Sequence, residues 1–171
     1  EDRKGNYLTE GGKESRDLGF WDVEGEINPF VALCITTIED ARFYNHLGVD
    51  FRALVRSLLN NLSGQARQGA STIAMQVARM QRPGPRTAWN KMNEAVNAFL
   101  LIAKFGHERV LRHYLKLVPQ GNQIFGVSYS ARRYFRKPQS DLSLAEAALL
   151  SSLPKAPGAM NLFSPAGFMK A

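Results

Sequence analysis

Apolar residues along this chain recur mostly at helical spacing. Phe51, Leu54, Val55, Leu58, Leu59 and Leu62 fall on one face of a helix, with Asp50 placed to cap its start and Gly64 to end it. Phe30, Val31, Cys34, Ile35 and Ile38 follow Asn28-Pro29, a capping residue and a proline at the first helical position, which predicts a helix from Pro29 to about Arg42. Ser71 is expected to cap a helix running to Met80, and Pro83-Gly84-Pro85 breaks the chain before a long apolar helix from Thr87 to Phe105. A further helix from His107 to Val118 closes at Pro119. Ser143 and Glu146 stand at the spacing of a capping box ahead of Ala147 to Leu153, and Pro154 and Pro157 stop that helix. Residues 1–26 mix charges with glycines and show no period, so they read as an irregular arm with one short strand near Leu18 to Val23. Residues 63–69, rich in Gly, Gln and Arg, read as a loop. The sum predicts a mainly α globule without repeats.

With 171 residues, 44% of them hydrophobic, the chain suits one domain over residues 1–171, with 1–28 as the irregular arm. Both ends read as cut from a longer protein. The formal charge of +7 points to an acidic partner, whether nucleic acid, anionic lipid or a diphosphate. Lys and Arg are scattered and no array of aromatic and basic residues accompanies them, which argues against nucleic acid. Cys34, the single cysteine, excludes an intrachain disulfide and a cysteine metal knuckle, and is expected to be a buried structural thiol. The densest apolar run, Ala98 to Ala103, is far short of the ~20 residues a membrane span needs.

Three clusters could carry chemistry. Glu39, Asp40, Phe43, His46, Gly48 and Asp50 gather where the first helix runs out. They fit either a catalytic site or local structure, with Asp50 as a cap, Asp40 balancing Arg42 and His46 in a turn. A metal reading of Glu39, Asp40, His46 and Asp50 matches no compact ligand spacing. In the second cluster Thr72, Gln76 and Arg79 share one helix face near a helix start, where free N–H groups favour anions, so the face suits either a phosphate or solvent. In the third, Lys91 and Glu94 are neighbours on one face, an ion pair at the mouth of an otherwise apolar helix.

Together and in this order the clusters resemble the family 51 glycosyltransferases, the peptidoglycan polymerase domains of class A penicillin-binding proteins. Glu39-Asp40-x-x-Phe43-x-x-His46-x-Gly48-x-Asp50, Gly69-x-Ser71-Thr72-Ile73-x-x-Gln76-x-x-Arg79 and Lys91-x-x-Glu94 are similar to the first three family motifs. Tyr114-Leu115 with Gly121 and Gly126, Ala131 to Phe135, and Asp141 to Leu150 followed by Leu153-Pro154 continue the pattern. The stretch from Ala70 to Met80, with Val118 to Asn122, looks most like the penicillin-binding protein 1C branch. Four positions depart from the family: Met75, Arg79, Asn90 and Lys116 stand where it has glutamine, lysine, arginine and asparagine.

The resemblance implies a lysozyme-like helical large lobe with a smaller membrane-facing lobe. It implies a peptidoglycan glycosyltransferase that polymerises lipid II, by inverting transfer from a lipid diphosphate donor to the 4-hydroxyl of the acceptor. Glu39 and Glu94 are then the catalytic residues, Glu39 as the base, and Asp40, Phe43, His46, Ser71, Thr72, Gln76, Arg79 and Lys91 bind substrate. No metal ligand is assigned firmly. Glu94 is the candidate for a divalent cation such as magnesium. The implied setting is the outer face of the bacterial cytoplasmic membrane, held by an anchor outside this chain. Lipid II, the growing glycan strand, a C-terminal transpeptidase domain and other cell-wall synthesis proteins are the implied partners. The rivals are a lysozyme-like glycan hydrolase and a catalytically silent lipid II-binding scaffold.

Overall fold

A computed structural model describes residues 18–62 and 70–155. The predicted loop 63–69, most of the N-terminal arm and the stop at Pro157 lie outside the described residues. What is described is mainly helical. Helix α1 (Pro29–Glu39), α2 (Phe51–Leu62), α3 (Ile73–Gln81), α4 (Ala88–Leu117) and α6 (Leu144–Ser152) are the main elements, with a single turn α5 (Val127–Ser130) continuing into a wide turn at Ala131–Phe135. Strand β1 (Leu18–Gly19) pairs in parallel with β2 (Ile124–Phe125), Leu18 opposite Ile124. The expected strand is therefore present but shorter than Leu18 to Val23.

The buried faces explain the packing. Val31 and Ile35 of α1, Ile73, Ala74 and Val77 of α3, Val110, Leu111, Tyr114 and Leu115 of α4, and Ala147 and Leu150 of α6 form one core. Helix α3 packs on α4, and α1 packs on α6. At the start of α1, Asn28 accepts from the Phe30 N–H at 2.8 Å, and its amide donates to the carbonyls of Ser140 and Leu142. The same residue thus caps one helix and ties it to the approach of another. Ser143 and Glu146 form the predicted capping box, and Lys137 pairs with Glu146 at 2.7 Å. Lys137 first, then Ser143, hold the Glu146 carboxyl down from its ordinary 4.5 to about 2.

The two helices expected on either side of Gly106 are present as the two parts of α4, separated at that glycine, whose φ of 76° lies in the left-handed region. Beyond the break the helix enters the core. Before it, Ala98 and Ile102 also reach the core, but Trp89, Met92, Val96, Phe99 and Leu100 remain exposed, as do Phe51, Leu54, Val55 and Leu59 of α2. Cys34 is half-buried rather than buried, because α1 turns Val31 and Ile35 to the core and leaves Cys34 beside that stripe. Burial raises its thiol pKa. No helix among the described residues is long and apolar enough to cross a membrane.

Candidate active site

Helix α1 stops at Glu39, three residues before its predicted end at Arg42, and the cause is tertiary. The Asp40 N–H still bonds to Thr36 O at 2.8 Å, but its carboxylate accepts from the Ile73 N–H at 3.1 Å and pairs with His46 Nε2 at 2.9 Å. These bonds turn the chain out of the helix and leave Glu39 as its last residue. The Gly48 N–H donates to His46 Nδ1, so the ring proton sits on Nε2 and points at Asp40. Gly48 has φ +92°, and a β-carbon there would stand 2.4 Å from the Ala98 carbonyl oxygen, so only glycine lets this turn lie against α4.

Thr72, not Ser71, is the cap of α3: its hydroxyl accepts from the Met75 N–H at 3.1 Å and donates to Gly48 O at 2.6 Å. Ser71, freed from capping, accepts a hydrogen bond from Lys91 Nζ. Asp50 caps α2 through the Ala53 N–H at 3.0 Å and pairs with Arg42 at 3.1 Å. Burial alone would raise the Asp50 carboxyl pKa, but hydrogen bonds from the Ala53 and Arg52 backbone and the nearby charge of Arg42 lower it overall. Ligand atoms of Asp40, His46 and Asp50 lie within 4.8 Å of one another, close enough to suggest a metal site. The bonds just described already engage all three side chains, so the cluster is a hydrogen-bonded brace.

A groove of about 1090 Å³ runs over this brace. Glu39, Ser71, Thr72, Gln76 and Arg79 line it, as do Arg42, Arg56 and Lys155. Glu39 Oε2 accepts from Gln76 Nε2 at 2.8 Å, while Oε1 is buried with no hydrogen-bond partner. A buried polar atom left so costs about 1–3 kcal/mol, and such costs concentrate at working sites. Arg79 makes no ion pair among the described residues. Lys91 reaches the groove through Ser71 and stands 3.5 Å from Glu94.

The expected site residues thus divide. Glu39, Ser71, Gln76, Arg79 and Lys91 converge on the groove, and Glu94 adjoins it through Lys91. Phe43 and the His46 side chain are buried behind it, and the polar atoms of Asp40 and Thr72 are engaged within its wall. The departure at Met75 falls on a core position, and Asn90 bonds to Pro85 O at 2.7 Å in the turn before α4. Sequence reasoning missed Arg56 and Lys155. The signal for Arg56 was its place beside the apolar stripe of α2. Lys155 follows Pro154 and gave none.

Comparison with known proteins gives the family. The family model described as Transglycosylase matches residues 5–170. Penicillin-binding protein 1A of Neisseria lactamica is 37% identical over 139 residues, covering 80% of this chain and 17% of that protein. The protein of the same name from Neisseria flavescens is 38% identical over 129 residues, 74% of this chain and 16% of that protein. A protein named as a transglycosylase from Cupriavidus necator is 38% identical over 138 residues, 80% of this chain and 60% of that protein. The chain therefore spans only part of each of these relatives. With its helical architecture, its first two motifs meeting at one groove and a family match over nearly its whole length, this chain belongs to the transglycosylase family, the family 51 peptidoglycan glycosyltransferases.

Proposed function

We propose that this chain polymerises lipid II into glycan strands, with Glu39 as the general base. The observation that carries the reading is a carboxylate with a single hydrogen-bond donor, sharing one groove with Arg79 and Ser71. As the acceptor 4-oxygen bonds to the anomeric carbon of the donor from the opposite face, the bond from that carbon to the diphosphate oxygen breaks. The acceptor's proton passes to the Glu39 carboxylate, and the lipid diphosphate departs with the electron pair. That leaving group needs cations rather than an acid, which Arg79 and Lys91 supply, with Ser71 and Gln76 as hydrogen-bonding groups. Asp40, Phe43, His46 and Thr72 hold these residues in place from behind.

Magnesium commonly binds through one or two carboxylates together with substrate phosphates and waters, and Glu94 fits that pattern beside Lys91. When bound, the ion would neutralise charge on the diphosphate. The exposed apolar faces of α2 and the first part of α4, with the net charge of +7, support association with the outer face of the bacterial cytoplasmic membrane. The names and greater length of the relatives support a transpeptidase domain in the whole protein. The finer likeness to the 1C branch stays part of this proposal.

A glycan hydrolase would need a protonated acid at the departing sugar oxygen. The other carboxylates of the groove, Asp40 and Asp50, are held by backbone N–H groups, His46 and Arg42, which favours transfer. Labelled lipid II incubated with the full chain should yield polymer, faster with magnesium than with a chelator. Fragments released from finished wall, without polymer from lipid II, would refute the proposal.

A further inference from the structure

At the end of α1 away from Glu39 lies a second, smaller cavity. Asn28, which caps α1, donates its backbone N–H to Gln139, and Gln139 lines a pocket of about 100 Å³ together with Trp21, Asp22, Glu24, Ser128 and Arg132. Helix α1 has 11 residues, so about 16 Å of helix stands between this pocket and the groove that holds Glu39. No residue lines both.

The pocket carries charges of both signs. Arg132 and Glu24 make no ion pair among the described residues, while Asp22 is held by Lys116 at 2.7 Å. Two cations thus accompany two carboxylates, and an ion of either sign alone would meet a like charge. Ser128 adds a hydroxyl that is buried with no hydrogen-bond partner. Trp21, set edge-on against Tyr129 with ring centroids 5.1 Å apart, adds an aromatic surface of the kind that attracts cations. The volume is well below that of pockets for drug-sized molecules and suits one small group.

We propose that this pocket binds a zwitterionic amino-acid group, its carboxylate taken by the Arg132 guanidinium and its ammonium by Glu24 beside the Trp21 ring. A neutral ligand with separated charges satisfies both unpaired groups at once, which no simple anion or cation does. Two sources offer this chemistry. One is a free amino acid. The other is the zwitterionic side chain of a diamino acid in the peptide that branches from a sugar held in the groove, since about five extended residues span at most about 17 Å, close to the length of α1. Only the second source rests on the reading of the groove as the lipid II site.

The test is binding, read by ¹⁹F resonance in the full chain carrying 5-fluorotryptophan, with Trp89→Phe leaving Trp21 as the single reporter. Alanine should move the resonance saturably at millimolar concentration. Propionate, which lacks the ammonium, and alaninamide, which lacks the carboxylate, should leave it in place. Arg132→Gln and Glu24→Gln should each weaken alanine binding by about tenfold, with thermal melting confirming the fold of each. A muramyl peptide ending in a diamino acid that binds more tightly than alanine identifies the peptide as the source, and one that binds no better identifies a free amino acid. No saturable shift with alanine, an equal response to propionate or alaninamide, or unchanged affinity in both variants would overturn the proposal. A shift with N-acetylglucosamine alone would overturn it too, in favour of a sugar site. The readout needs no turnover, so failure of Glu39 as the base leaves it standing.

Discussion

The two parts of α4 are built from similar residues and both reach the core, the first through Ala98 and Ile102, but they differ in how much apolar surface they leave exposed. After Gly106, Leu111 is 0% exposed and packs with Val110, Tyr114 and Leu115 against the rest of the core. Before it, Phe99 is 47% exposed and Trp89 65% exposed. The apolar face of α2 matches this second case. The site follows the same division. Glu39, Gln76 and Arg79 stand on elements rooted in the core, whereas Arg56 comes from α2 and Lys91 and Glu94 from the start of α4, before its first core residue, Ala98. The proposed base and its holder thus sit on rigid packing, and some groups proposed for the diphosphate sit beside the apolar surface where a lipid tail would lie.

Substitution on both sides of Gly106 should expose this contrast. Leu111→Ala removes a fully buried side chain and should cost about 2–5 kcal/mol in denaturant unfolding. Phe99→Ala should change stability by about 0.5 kcal/mol or less but reduce binding to vesicles of phosphatidylglycerol and phosphatidylethanolamine. Equal destabilisation by the two would show that the exposed stripe has a folding partner. The smallest expected effect sharpens the core side. The Glu146 carboxyl, lowered to about 2 from 4.5, contributes stability above the higher value and loses it as pH falls through the lower. Melting temperatures of the parent and Glu146→Gln should therefore differ near neutral pH and converge towards pH 2, and a gap that persists at pH 2 would contradict this capping role.

Much of this was legible in the sequence, and for stateable reasons. Gly106, Pro119 and the Ser143–Glu146 box punctuate locally, so helices read from them formed within a few residues of expectation. The end of α1 was misjudged because the bonds that end it come from Ile73 and His46, remote or not yet placed when the period is counted. Ser71 and Thr72 are adjacent and equally able to cap, and only the Gly48 carbonyl and Lys91 decide between them. Periodicity showed that α2 has an apolar face, but nothing in a pattern of residues tells a face that meets protein from one that does not. The motif residues read as substrate ligands are divided by the fold between a buried brace and a groove lining, a division the sequence does not show because both use the same residue types.

The most direct test of the central claim is the turnover and binding of lipid II by Glu39→Gln. The account predicts a folded protein that binds lipid II like the parent and forms no glycan polymer. Polymer formation at the parental rate would remove Glu39 from the chemistry, and with it the meaning assigned to the groove it shares with Arg79.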